Sequence, residues 1–89
     1  MQFGGKSIIT SEQIRAARYG LRWTFETLSK NCHVSVRTLK TLETQMGVPN
    51  CRTVTLEKVQ LAFEMAGIEF IGTPDDRPGI RIRTQDKNI

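Results

Sequence analysis

Two short helical segments, each opened by a hydroxyl residue and separated by only a few positions, constrain this chain more than any other feature. Thr24 precedes Phe25 and Leu28, and that segment closes near Asn31. Ser35 precedes Leu39 and Leu42, and the next segment runs to about Thr44. Ser and Thr cap helices well because their oxygens accept from the unsatisfied N–H groups of the first turn. Between the two segments, Asn31-Cys32-His33-Val34 leaves only a tight connection. The helices must therefore turn sharply against one another rather than run on as one rod.

The remaining punctuation places the other elements. Thr10-Ser11-Glu12-Gln13 has the form of a capping box, predicting a first helix over about 11–19 with Ile14 and Ala17 inward and Gly20 as its stop. Met46-Gly47-Val48-Pro49-Asn50 reads as a turn-rich loop. A fourth helix is predicted over about 55–66, because Leu56, Val59, Phe63 and Ala66 recur at helical spacing and Gly67 follows as a cap. The period then changes. Residues 68–71 and 79–83 read as strands around a Gly72–Pro78 loop, with Ile68, Phe70, Ile80 and Ile82 on one face and Glu69, Arg81 and Arg83 on the other. Residues 1–9 read as a loose lead-in and 84–89 as a polar tail. The expected fold is mainly α, a single four-helix domain over 10–83 ending in a β-hairpin.

Composition narrows the function. Eighty-nine residues with 38% apolar content make one small core, with little room beside it for a deep substrate cavity. No apolar run is long enough to span a bilayer, and Met1–Ile9 has no signal-peptide pattern, so a cytoplasmic protein without a membrane partner is expected. The formal net charge of +4 favours polyanionic partners. Two cysteines form neither a metal set nor a disulfide framework, and no cofactor motif is present. Cys32-His33 has the residue types of a nucleophile and base, but adjacent side chains at a helix end diverge and no third orienting group is evident. A packed Cys and a turn His are expected there, and an enzyme is not. Trp23 reads as a core plug between the first and second helices. Arg77, Arg81 and Arg83 read equally as an extension of a basic surface and as edge-strand charges that discourage aggregation.

The third helix carries the functional signal. At about 100° per residue and with Leu39 at zero, Leu42 falls at about 300°, Arg37 at about 160°, Thr44 at about 140°, Thr41 at about 200° and Lys40 at about 100°. The outward face is then Arg37, Lys40, Thr41 and Thr44, two cations and two hydroxyls with no acid. Val36 falls nearer the core edge. Arginine can grip guanine O6 and N7 with its two-pronged fork, threonine can meet a base edge or a thymine methyl, and lysine and hydroxyls take phosphates. Two capped helices on a short turn, the second with such a face, are the sequence form of a helix-turn-helix.

Residues of about 10–66 resemble the Cro and phage-repressor-type, or XRE-like, helix-turn-helix family. The segments that carry the resemblance are Ile14-Arg15-Ala16-Ala17-Arg18, Trp23-Thr24-Phe25-Glu26-Thr27-Leu28-Ser29 and Val34-Ser35-Val36-Arg37-Thr38-Leu39-Lys40-Thr41-Leu42-Glu43. Thr55-Leu56-Glu57, Phe63 to Phe70 and Pro78-Gly79 are similar to a subgroup in which a helix ending in Ala-Gly is followed by a strand and a Pro-Gly turn. The resemblance implies a lambda-repressor-like fold and roles position by position. It implies base contacts from Val36, Arg37 and Thr41. It implies phosphate contacts from Thr24 and Phe25 at a helix N-terminus, from Ser35, and from Asn50 and Arg52 in the loop before the fourth helix; Lys40 and Thr44 join this set from the outward face. It also implies a structural ion pair between Arg18 and Glu43. Two positions depart from the pattern. Phe25 stands where Gln is usual and has no side-chain hydrogen bond for a phosphate. His33 stands where Gly is common, and His tolerates the left-handed conformation better than most residues.

The expected function is a sequence-specific double-stranded DNA-binding transcriptional regulator, acting as a homodimer with the C-terminal hairpin as a candidate dimer edge. Two alternatives stay open: an antitoxin-type repressor that holds a partner protein, and a protein-interaction scaffold that kept the fold and lost DNA binding.

Overall fold

The computed structural model describes residues 8–83 and builds them as four helices followed by a two-stranded antiparallel hairpin. The lead-in before residue 8 and the tail after residue 83 lie outside the described residues. The elements are α1 (Ser11–Gly20), α2 (Phe25–Cys32), α3 (Val36–Glu43), α4 (Thr53–Met65), β1 (Ile68–Thr73) and β2 (Asp76–Ile82). Ile14, Leu28, Leu39, Val59 and Phe63 are fully buried, with Ile9 and Leu42 almost so. Ile9 therefore belongs to the core, and the folded unit begins ahead of the predicted boundary at residue 10. Trp23 stacks on Phe63 of α4 with ring centroids 5.8 Å apart, and Phe63 meets Phe70 of β1 edge-on at 6.2 Å. The aromatic plug thus joins α4 to the hairpin and to the α1–α2 turn. No helix among the described residues is long and apolar enough to cross a membrane.

Local chemistry explains the helix ends. Thr10 caps α1 by accepting from the Gln13 N–H, and the Gln13 side chain accepts in return from the Thr10 N–H. The same Gln13 amide donates to the carbonyls of Ile71 and Gly79, so one side chain both starts α1 and holds the hairpin against it. At the other end the structure departs from the sequence reading. Gly20 is still helical, Leu21 caps the helix, and Arg22 takes the left-handed conformation with φ 59°. The N–H groups of Arg22 and Trp23 reach back to the carbonyls of Tyr19 and Arg18, satisfying the last turn as a Schellman motif does. Gly20 instead serves close packing: a Cβ there would lie 2.8 Å from Ile82 Cδ1. In the α2–α3 connection His33 adopts φ 61° and ψ 35°, and its N–H donates to the Ser29 carbonyl. The helix α4 begins two residues before its predicted start, because Arg52 caps it in an extended conformation without any side-chain hydrogen bond.

The hairpin is longer than its sequence suggests. Pairing runs from Ile68–Ile82 through Phe70–Ile80 to Thr73–Asp76, leaving only Pro74 and Asp75 to turn the chain. The predicted loop from Gly72 to Pro78 is mostly strand, with a register irregularity between Ile71 and Thr73 absorbed by left-handed Gly72 (φ 76°) and Arg77 (φ 50°). A Cβ on Gly72 would sit 2.1 Å from the Arg77 carbonyl oxygen, which is backbone and cannot swing away. Gly72→Ala is expected to cost at least about 1–2 kcal/mol from the left-handed conformation alone. Thermal unfolding followed by circular dichroism should show the midpoint fall by several degrees; an unchanged midpoint would contradict this reading of the hairpin. The hairpin's apolar side turns onto the chain's own helices: Ile68 is buried, Phe70 and Ile80 are half-buried and pack on the core, and only Ile82 is half exposed.

Candidate nucleic-acid interface

The face of α3 follows from its two buried leucines. Leu39 and Leu42 enter the core, Glu43 lies buried beside them, and Arg37, Lys40, Thr41 and Thr44 stand exposed on the other side. Val36 is half-buried at the edge, as its angular position requires. Ser35 caps the helix by accepting from the Thr38 N–H at 3.2 Å, and its hydroxyl donates to Thr38 Oγ1. The Thr41 hydroxyl donates to the Arg37 carbonyl and the Thr44 hydroxyl to the Thr41 carbonyl. Both hydroxyl protons are thus parked on the helix backbone, and both residues stay exposed. Among the described residues, Arg37, Lys40 and Arg52 have no acidic side chain within ion-pair distance, so their charge is directed at solvent.

What holds α3 in this orientation is a polar seam along α1. Arg18 and Glu43, 8% and 6% exposed, form a two-pronged pair, Nε to Oε2 at 2.7 Å and Nη2 to Oε1 at 3.1 Å. A third donor of the guanidinium, Nη1, reaches the Trp23 carbonyl at 3.0 Å. These hydrogen bonds to Glu43 hold the Arg18 proton more tightly than in a free guanidinium. One turn earlier, Arg15 donates to the Glu43 carbonyl, and the Ser11 hydroxyl donates to the Leu42 carbonyl at 2.6 Å. Ser11, Arg15 and Arg18 share one face of α1 and engage the C-terminal end of α3 from carbonyl to carboxylate. Glu12 adds a fourth tie, accepting from the Gly47 N–H at 3.0 Å. The Arg18–Glu43 pair is expected from the sequence; the contributions of Ser11, Glu12 and Arg15 are not, because they bind backbone groups far away along the chain.

Phe25 takes a different place from the one its position suggests. Its ring lies against the Arg18 guanidinium, 4.0 Å from Cζ to the ring centroid, with Lys40 Nζ 5.8 Å from the same centroid. Tyr19 approaches Arg18 as well, at 4.5 Å. The aromatic side chain is therefore engaged with two cations of its own chain, as the attraction of a cation for a ring face favours. Only its backbone N–H, in the first turn of α2, remains available to an anion. Thr24 caps that turn, accepting from the Thr27 N–H at 3.1 Å. Asn50 and Arg52 are exposed in the segment that leads into α4, and the Asn50 N–H is held by the Gln45 side chain. The structure brings Lys40 and Phe25 together across α2 and α3, and it leaves Arg37, Thr41 and Thr44 as a separate outward strip.

The other chemical candidate in the sequence, Cys32-His33, does not assemble an activated thiol. Cys32 is buried, and burial pushes its thiol up, away from the thiolate form a nucleophile needs. Among the described residues no three His, Cys, Asp or Glu side chains gather as a metal ion would require. No family model matches this chain, and no curated protein matches it.

Proposed function

We propose that this domain is a sequence-specific double-stranded DNA-binding regulator of the Cro and phage-repressor type, a helix-turn-helix in which α2 braces α3 and α3 lies in the major groove. One observation carries the reading: Arg37 and Thr41 stand free on the outer side of a helix whose inner side is locked to α1 through Arg18 and Glu43. A rigidly mounted arginine fork is what reading a guanine edge requires, because a mobile one would lose in ordering what it gains in contact. Lys40, Ser35 and Thr44 on α3, the α2 N-terminus at Thr24 and Phe25, and the Asn50–Arg52 segment are assigned to the flanking phosphates. In this role Phe25 contributes its N–H and positions Lys40 rather than offering a side-chain hydrogen bond. The domain acts by binding rather than by catalysis. Because a single small module reads only one half-site, two copies are expected on sites about one helical turn apart, roughly 34 Å.

Phe25 also favours a second reading, a protein-interaction scaffold on the same fold, because its ring occupies the position from which a glutamine side chain would reach phosphate. Salt separates the two. Each phosphate neutralised by a side chain lowers the logarithmic affinity by about 0.9 per logarithmic unit of salt. Binding to a long mixed-sequence duplex, followed by fluorescence anisotropy across a salt series, is expected to weaken steeply. Lys40→Ala and Arg52→Ala are each expected to reduce that slope by about one while weakening all sequences alike. No binding to any duplex at low salt would leave the scaffold reading in its place.

A further inference from the structure

The helix α4 is apolar on two sides. Leu56, Val59 and Phe63 fill the core, while Val54, Leu61 and Met65 are 50%, 57% and 80% exposed on the opposite side, with exposed Lys58 among them. A helix that is apolar on both sides is ordinarily covered on both. The outer residues Val54, Lys58, Leu61 and Met65 are spaced by four, three and four, the d-a-d-a alternation of a coiled-coil seam. On this register Glu57 and Glu64, both exposed, occupy the two g positions beside the seam, and Thr55 and Ala62 occupy the e positions.

We propose that this face of α4 joins two copies of the chain in a parallel twofold dimer. The charges select both the occupant and the direction. In a parallel pair, the knob at an a position enters a hole bordered by the partner's preceding g residue. Lys58 then meets Glu57 of the partner subunit, and by symmetry the reverse pair forms as well. The two Lys58 side chains meet across the same a layer, so each ammonium turns outward to that glutamate; a polar a position of this kind specifies register at a cost in stability. In an antiparallel pair the glutamate flank of one copy would face the glutamate flank of the other and repel. The hairpin, which the sequence suggests as a dimer edge, has its apolar side turned onto α1 and α4 and leaves Ile82 half exposed, whereas α4 exposes Val54, Leu61 and Met65 together.

With the DNA-binding function proposed above, the parallel arrangement also suits a duplex. A twofold axis running along α4 keeps both N-terminal ends of that helix on the same side of the dimer. The Asn50–Arg52 segments, which lead directly into α4, then face one duplex together, whereas an antiparallel pair would send them to opposite ends.

Sedimentation velocity of the full chain without DNA tests the proposal independently of any nucleic-acid affinity. A concentration-dependent monomer–dimer equilibrium is expected between tens and hundreds of micromolar. Lys58→Glu alone and Glu57→Lys alone should each weaken dimerisation at least about tenfold by placing like charges opposite one another. The double exchange, Glu57→Lys with Lys58→Glu, should restore it, and circular dichroism confirms folding of each variant. Leu61→Cys, at a d position, should cross-link copy to copy under mild oxidation, with peptide mapping locating the disulfide between the two introduced thiols. A strict monomer throughout, a dimer indifferent to the charge reversals, or a dimer that does not cross-link through Leu61→Cys would each overturn the proposal. A chain that dimerises in this way yet binds no duplex would count against the DNA-binding reading and leave the dimer standing.

Discussion

Replacing Glu43 with alanine is expected to destabilise the domain by about 3–5 kcal/mol, the cost of leaving one partner of a buried pair unpaired. The Arg18 guanidinium, buried beside Phe25 and Tyr19, would keep only the Trp23 carbonyl as an acceptor. Neither ring can replace a carboxylate. Domains of this size hold only about 5–15 kcal/mol in total, so this loss removes a large fraction of the fold's stability. The midpoint of urea unfolding is the direct measurement. The paired replacement Arg18→Met with Glu43→Leu should recover most of the loss, because two apolar chains of similar size carry no buried charge. That asymmetry separates a buried pair from a surface one. A loss from Glu43→Ala below about 1 kcal/mol is the behaviour of an exposed ion pair and would contradict the seam between α1 and α3.

The same seam shows where sequence reasoning reaches and where it stops. The Thr10–Gln13 cap and the outward strip of α3 are local matters, fixed by neighbours within a turn or two, and are legible; the left-handed His33 follows from its place in the family pattern. The Arg18–Glu43 pair follows from the family resemblance, and the structure buries it between α1 and α3. Ser11, Glu12 and Arg15 were not legible, because what they bind are backbone groups of Leu42, Gly47 and Glu43 that come close only after the chain has folded. Glycine misled in two directions. Gly20 looks like a helix stop and is instead a close contact with Ile82, while the stop falls on Arg22, a residue type that gives no warning of a left-handed turn. Gly72 and Pro78 read as the ends of a loop, yet pairing continues past both to a two-residue turn, with Gly72 absorbing the irregularity. The early start of α4 left no trace in the sequence because Arg52 caps it without a side-chain bond. The resemblance implies a phosphate contact from Phe25 at the start of α2; the engagement of its ring with Arg18 and Lys40 depends on three elements converging and has no local signal.

The proposed regulator depends on α3 reading bases rather than merely resting on a charged backbone, and Arg37 distinguishes these. Its guanidinium stands on the outer face without an acidic partner among the described residues, so truncating it disturbs neither the core nor an ion pair. Fold stability is therefore expected to stay within about 0.5 kcal/mol of the parent, as for other surface substitutions. The effect on DNA should be larger and sequence-dependent. A bidentate arginine–guanine contact contributes about 1–3 kcal/mol of discrimination, whereas a phosphate contact weakens every sequence alike. The measurement is competitive binding of the parent chain and Arg37→Ala to a duplex selected from a random pool and to a scrambled duplex of equal length, at one salt concentration. The expected result is a loss of about 1–3 kcal/mol on the selected duplex with little change on the scrambled one. An equal loss on both, or no loss on either, would contradict base reading by α3.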